Sequence, residues 1–245
     1  MSRPSPFGCS YNRDAVTRNA PTILALVLLV ATATAFAVTQ RLKLEPSPIS
    51  QTRVDDVFSP VCRCPSRAAN IEFSLRRADR LRIAIRIGAN EVTVADGSFP
   101  RGGLHVRWDG RDPSGKLVPD GTYYPVVHLQ SAGRTIDLPN PIRVDTIRPS
   151  IKLKSLRPRV FVPGVEKLRV TYTVSEHAHA LLFVDGRRRV FTLGQRLRGR
   201  LQWYGRVAGR SVRPGRHRLT LVAEDLAGNR SLPTAPVIVR VRRSK

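Results

Sequence analysis

The feature that most constrains this chain is a repeat. Trp108-Asp109-Gly110-Arg111, Pro119, Ala132-Gly133 and Pro141 recur as Trp203-Tyr204-Gly205-Arg206, Pro214, Ala227-Gly228 and Pro236, every pair offset by 95 residues. Upstream, Ile71, Phe73 and Leu75 line up with Val170, Tyr172 and Val174 at an offset of 99, a small difference in loop length. Self-similarity at a fixed offset marks one folding unit used twice. The chain has 245 residues, which accommodates two such units. Within each, apolar and polar residues alternate: Ile71, Phe73, Leu75; Leu81, Ile83, Ile85, Ile87; Val237, Val239, Val241. A period of two belongs to half-buried strands. Asp96-Gly97, Asp109-Gly110, Asp120-Gly121 and Asp185-Gly186 read as tight turns, since Asp-Gly accepts the positive φ that hairpin turns require. After Lys43 no sustained 3.6-residue apolar stripe is bounded by caps, so helix should be scarce there. The expected architecture is all-β, two tandem antiparallel sandwiches.

Ahead of the repeat, 22 residues between Arg18 and Arg41 carry no charge, and 22–38 (TILALVLLVATATAFAV) is almost wholly apolar. As a helix, 22 residues would span roughly 33 Å, about the thickness of a bilayer's hydrocarbon. This predicts one N-terminal transmembrane helix. Arg3, Arg13 and Arg18 precede it, offset in part by Asp14, and Arg41 and Lys43 follow, so the charge bias is shallow. Ala35-Phe36-Ala37 is also an A-x-A cleavage pattern. Two outcomes fit: an uncleaved single-pass anchor with the C-terminal domains outside the cytoplasm, or a signal peptide cut after Ala37 and a secreted protein. The organisation expected is a short cytoplasmic segment over 1–20, the anchor or signal over 21–40, a linker over 41–57, one domain over 58–145 and a second over 146–245.

Residues 71–87 (IEFSLRRADRLRIAIRI) and 103–124 (GLHVRWDGRDPSGKLVPDGTYY) bring in a family resemblance. Trp108, Asp109, Gly110, Asp112, Gly115, Val118, Pro119, Gly121 and Tyr123 follow a run W-D-G-x-D-x-x-G-x-x-V-P-x-G-x-Y. This resembles the immunoglobulin-like domain of the flagellar hook-capping protein FlgD, a module also found in secreted bacterial proteins with no flagellar role. The resemblance implies an immunoglobulin- or fibronectin-like sandwich over residues 58 to 145, and no hook assembly, because true cappers are not anchored in this way. The second half departs from it: Tyr204 replaces Asp, and Arg216-His217 stands where Thr-Tyr would be. Its close, 223–231 (AEDLAGNRS), resembles the D-x-A-G-N ending of bacterial immunoglobulin-like repeats. Phe58-Ser59-Pro60 resembles the entry to such domains, but 61–67 (VCRCPSR) replaces the acidic loop, and the calcium expectation goes with those carboxylates.

Few residues point to chemistry. Residues 110–116 (GRDPSGK) match seven positions of a phosphate-binding loop, yet Leu117 sits where a Mg²⁺-binding hydroxyl must be and Pro119 where a helix should run, so the segment reads as a turn. His177 and His179 share i,i+2 spacing without an acidic or cysteine partner nearby and read as surface residues. No nucleophile elbow or paired-carboxylate pattern appears, so a catalyst, cofactor or metal centre is not expected. Trp108 and Trp203 are expected in the cores. Cys62 and Cys64 would face the same way on an extended chain, which fits a local disulfide first and leaves free or partner-linked thiols as the alternative; Cys9, before the apolar segment, cannot join them.

Charge distribution says more. The chain has 42 Lys+Arg against 18 Asp+Glu, a net charge of +24. Residues 58–145 carry 13 basic and 9 acidic side chains, residues 146–245 carry 23 and 5, so the second domain holds the excess. Arg187, Arg188 and Arg189 follow a turn signal, Arg196, Arg198 and Arg200 have the spacing of one strand face, and Arg206 and Arg210 lie close behind. Such cations would attract an anionic polymer through salt-sensitive forces. The function expected is a non-enzymatic envelope protein, structural, adhesive or binding. It would be held at the membrane by its N-terminal helix and would partner an anionic envelope polymer or another envelope protein. The alternative is binding of extracellular nucleic acid, with few aromatics among the arginines to support it.

Overall fold

A computed structural model describes residues 23–37, 46–207 and 209–243. Residues 23–37 form a helix, α1, whose apolar side chains are exposed, Leu29 at 68%. Among the described residues no helix is long and apolar enough to cross a membrane. The reason is length: 15 residues reach about 22 Å, short of the roughly 30 Å of bilayer hydrocarbon. The predicted span, 21–40, runs at both ends into residues outside those described, as does all of the segment 1–20 with Cys9.

Nine strands follow: β1 (Ile49–Val54), β2 (Val57–Phe58), β3 (Ala69–Leu75), β4 (Asp79–Ile87), β5 (Asn90–Phe99), β6 (Gly102–Trp108), β7 (Gly121–Leu129), β8 (Arg134–Asp137) and β9 (Ile142–Val144). They make two sheets, β1-β3-β6 and β2-β9-β7-β4-β5, with β8 added to β7. Then come β10 (Ile151–Arg157), β11 (Val160–Phe161), β12 (Leu168–Val174), β13 (Ala178–Val184), β14 (Arg187–Phe191), β15 (Arg198–Trp203), β16 (Arg206–Val207), β17 (Arg210–Ser211), β18 (Gly215–Asp225) and β19 (Val237–Val241). Their sheets are β10-β12-β15 and β11-β19-β18-β13-β14, the same order again, with β16 and β17 as a separate hairpin. All pairs are antiparallel except β2 with β9 and β11 with β19.

Each pair of sheets encloses its own core, because alternate residues of every strand turn inward. Ile71, Phe73 and Leu75 meet Leu81, Ile83, Ile85 and Val127 in the first; Val170, Tyr172 and Val174 meet Ala180, Leu182, Leu219 and Leu221 in the second. Each fully buried aliphatic contributes about 1.5–3 kcal/mol. The register of the repeat holds: Ala69 faces Trp108 and Leu168 faces Trp203. Both tryptophans are buried, and each indole N–H donates to the carbonyl three residues on, Trp108 to Arg111 and Trp203 to Arg206, at 3.2 Å. Phe58 packs edge-on to Trp108 with ring centres 5.5 Å apart, and Phe161 to Trp203 at 5.8 Å. Both sandwiches are immunoglobulin-like in strand order. The first carries a tyrosine corner, Tyr123 Oη donating to the Pro119 carbonyl at 2.6 Å. Where the second half has no such tyrosine, His217 Nε2 reaches the Arg213 carbonyl at 2.8 Å, again four residues upstream.

Two local expectations need correction. Asp96-Gly97 lies inside β5, paired with Arg82 and Leu81; the turn between β4 and β5 is at Gly88-Ala89, where Gly88 supplies the positive φ. The linker 41–57 contains β1 and the first residue of β2. Ile49 and Val54 bury against the first core, two prolines and a short alternation having hidden a bulged strand.

Candidate binding surface

The arginines singled out from sequence occupy three places. Arg187, Arg188 and Arg189 are on β14, the edge strand that follows the turn at Asp185-Gly186, both of whose residues have positive φ. Arg188 lies over the Phe191 ring at 5.8 Å, and Arg189 Nε is buried with no hydrogen-bond partner among the described residues. Arg206 and Arg210 sit on the β16–β17 hairpin, Arg206 with its guanidinium against Gly164. Arg198 and Arg200 share the outward face of β15; Arg196, expected in the same row, precedes the strand. All but Arg189 of these eight are exposed.

What the sequence reading missed is the rest of the sheet to which β15 belongs. The pairings give three rungs across β10, β12 and β15: Lys152–Thr173–Arg198, Ser155–Thr171–Arg200 and Arg157–Arg169–Gln202. Lys154 projects beside them at a bulge in β10. Lys152, Lys154, Arg157, Arg169, Arg198 and Arg200 are all exposed, and among the described residues none of the six is in an ion pair. A depression of about 470 Å³ on this sheet is lined by Lys154, Thr171, Thr173 and Arg198, with Tyr172 and Gly199. Four of the five acids of residues 146–245 are engaged elsewhere. Glu166 accepts the Val162 N–H at 2.8 Å, Asp185 pairs with His217, Glu224 with Arg230, and Asp225 with Asn229. The row on β15 was legible as i,i+2 arginines; the neighbouring cations come from strands tens of residues away and needed the register.

A second cluster lies where the two sandwiches meet. Asn229 Nδ2 donates to the Asp145 carbonyl and to Asp225 Oδ2, both at 2.9 Å, and its Oδ1 accepts from Ser59 Oγ at 2.6 Å. Cys62 and Cys64 are disulfide-bonded, and Cys64 Sγ lies so near Gly228 that a Cβ there would approach to 2.5 Å. The carboxylates of Asp145, Glu176 and Asp225 lie within 4.8 Å of one another. Burial pushes the Glu176 carboxyl above its ordinary value, and Asp145 and Asp225 add to the effect. Burial raises Asp225 as well, against the hydrogen bonds from Asn229. Asp145 follows β9, Glu176 lies between β12 and β13, and Asp225 ends β18, so no local spacing signals the three acids.

The remaining residues singled out by sequence are structural. Asp112 Oδ1 accepts from the Ser114 N–H at 2.9 Å, the Ser114 hydroxyl at 2.6 Å and the Lys116 N–H at 2.9 Å, folding 110–116 into a closed turn. His179 is on β13, bonded to the Thr192 carbonyl at 2.7 Å, while His177 precedes that strand.

No family model matches the chain, and no characterised protein matches it in sequence. Among solved structures it is similar to the fibronectin(III)-like modules of CbhA from Clostridium thermocellum, with a TM-score of 0.45 at 18% identity over 79% of this chain and 95% of that one. It is similar to a bacterial ice-binding adhesin at a TM-score of 0.30 and 15% identity, over 80% of this chain and 65% of that one. An I-band fragment of titin aligns at 0.32 and 12%, over 81% and 67%.

Proposed function

We propose that this chain is a non-enzymatic cell-envelope protein in which the first sandwich, FlgD-like in its Trp108–Tyr123 run, is a spacer and the second binds an anionic envelope polymer. The observation that carries the reading is charge segregation: residues 146–245 hold 23 basic against 5 acidic side chains, and several cations have no ion-pair partner among the described residues. The 22 uncharged residues between Arg18 and Arg41, with α1 presenting its apolar side chains outward, support an anchored or exported protein. The test is protease shaving of intact cells carrying a C-terminal tag, with the mature N-terminus determined by mass. Loss of the tag with residues 19–40 retained supports an anchored external module. Loss of the tag with a mature start near Val38 supports the secreted form. A tag protected in cells shown to be shaved places the sandwiches inside and overturns the reading.

A further inference from the structure

The repeat supplies an internal control for the chain's arginine content. Because β3 and β6 share the register of β12 and β15, outward positions correspond one to one. Asn70, Glu72 and Ser74 correspond to Arg169, Thr171 and Thr173; Gly103, His105 and Arg107 correspond to Arg198, Arg200 and Gln202. Across the first sandwich the middle rung reads Arg53–Glu72–His105, with an acid at its centre. Across the second it reads Ser155–Thr171–Arg200. A chain-wide preference for arginine would enrich both faces, yet only the second is enriched, and only there is the central acid replaced.

We propose that the outward face of β10-β12-β15 is the binding site and that its ligand is a linear phosphodiester polymer without bases, of the polyol-phosphate kind. This rests on the reading of the second sandwich as the polymer-binding module. Three features of the face select the ligand. The cations are spread over three rungs, about 13 Å along the strands and 10 Å across them, which is too wide for one small anion and suits repeated charges. Four of the six, Arg157, Arg169, Arg198 and Arg200, present guanidinium forks that match phosphate oxygens bidentately, with the hydroxyls of Thr171 and Thr173 between them. No outward residue of the three strands is aromatic, so the face has no platform on which a nucleobase would stack.

The experiment measures binding of the full chain to poly(glycerol phosphate) at 50 and 200 mM salt, beside oligo-dT, polygalacturonate and phosphatidylglycerol vesicles. Thr171→Glu restores the acid that the first sandwich carries; the pair Arg198→Gln/Arg200→Gln removes two charges from the face; the pair Arg187→Gln/Arg188→Gln removes two from β14. Binding to poly(glycerol phosphate) should weaken about tenfold or more with the added salt. Thr171→Glu and the β15 pair should each lose about tenfold, and the β14 pair less than about threefold. Equal losses from the β14 and β15 pairs, or no loss from either face variant, overturn the site. Tighter binding to polygalacturonate or to the vesicles, lost in the face variants, overturns the ligand class and leaves the broader reading standing, whereas tighter binding to oligo-dT overturns both in favour of nucleic acid. Absence of binding to all four at 50 mM salt removes both.

Discussion

Ser59 and Asn229, 170 residues apart in the chain, share a buried hydrogen bond of 2.6 Å in which the serine hydroxyl donates to the amide oxygen. The other end of the same amide donates to the Asp145 carbonyl and to Asp225, so a single side chain ties the two sandwiches and the strand-to-strand linker. Asn229→Ala leaves several buried groups unsatisfied at once. We expect a loss of about 2–3 kcal/mol in urea unfolding, against about 1 kcal/mol for Ser59→Ala. A loss below about 0.5 kcal/mol for Asn229→Ala would show that water substitutes for the amide.

Glu176 gives the same junction a pH dependence. Its carboxyl is raised by burial and by the Asp145 and Asp225 charges, with Arg143 opposing. The folded state therefore holds the proton to higher pH than the unfolded chain does. In that window stability falls as pH rises, and below it the penalty is absent. Glu176→Gln should be more stable than the native chain at neutral pH, with the advantage shrinking as pH falls through the raised window and gone below the ordinary glutamate value. Thermal melts at several pH values check this, and a variant less stable at neutral pH contradicts it.

Gly205 closes the turn after Trp203 with φ at +70°, and a Cβ there would lie 2.8 Å from the Phe161 ring. Gly209 has φ of +77° but open space around it. Gly205→Ala should cost about 2–4 kcal/mol, from backbone and crowding together, and Gly209→Ala about 1 kcal/mol from the backbone alone. Equal costs would mean that the ring moves aside freely.

Gly228 meets the disulfide loop across the junction. Gly228→Ala should destabilise the native chain by more than it destabilises Cys62→Ser/Cys64→Ser, because without the disulfide the loop can withdraw from the added methyl. A coupling of about 0.5 kcal/mol or more in the double-mutant cycle is expected; additivity would separate the two loops energetically.

The sandwich cores were legible because period-two alternation at Ile71, Phe73 and Leu75, and again at Val170, Tyr172 and Val174, states which side chains turn inward. The tandem order was legible because the Trp-x-Gly turn has a backbone requirement, and the chain meets it twice. Gly97 misled: Asp-Gly favours a turn only where the strands reverse, and pairing with β4 holds this one extended. The basic face was legible only in its β15 row. Lys152, Lys154, Arg157 and Arg169 join it through inter-strand register, which no local pattern carries. Asn229 looked like the end of a motif, and its partners Ser59 and Asp145 belong to the other half of the chain.

The two parallel pairings bear on how the molecule meets tension. β2 is the second strand of the first sandwich and β9 its last, joined by Arg143 N–H to the Asp56 carbonyl at 2.9 Å and Asp145 N–H to the Phe58 carbonyl at 3.1 Å. β11 and β19 repeat this through Arg240 N–H to Arg159 at 2.7 Å and Arg242 N–H to Phe161 at 3.0 Å. A pull between the ends of either sandwich draws its two parallel strands past one another lengthwise. The bonds of each pair then resist together in shear, where an antiparallel hairpin pulled at its open end would give way one bond at a time like a zip. A tether held at one end and loaded at the other would yield last at these two seams.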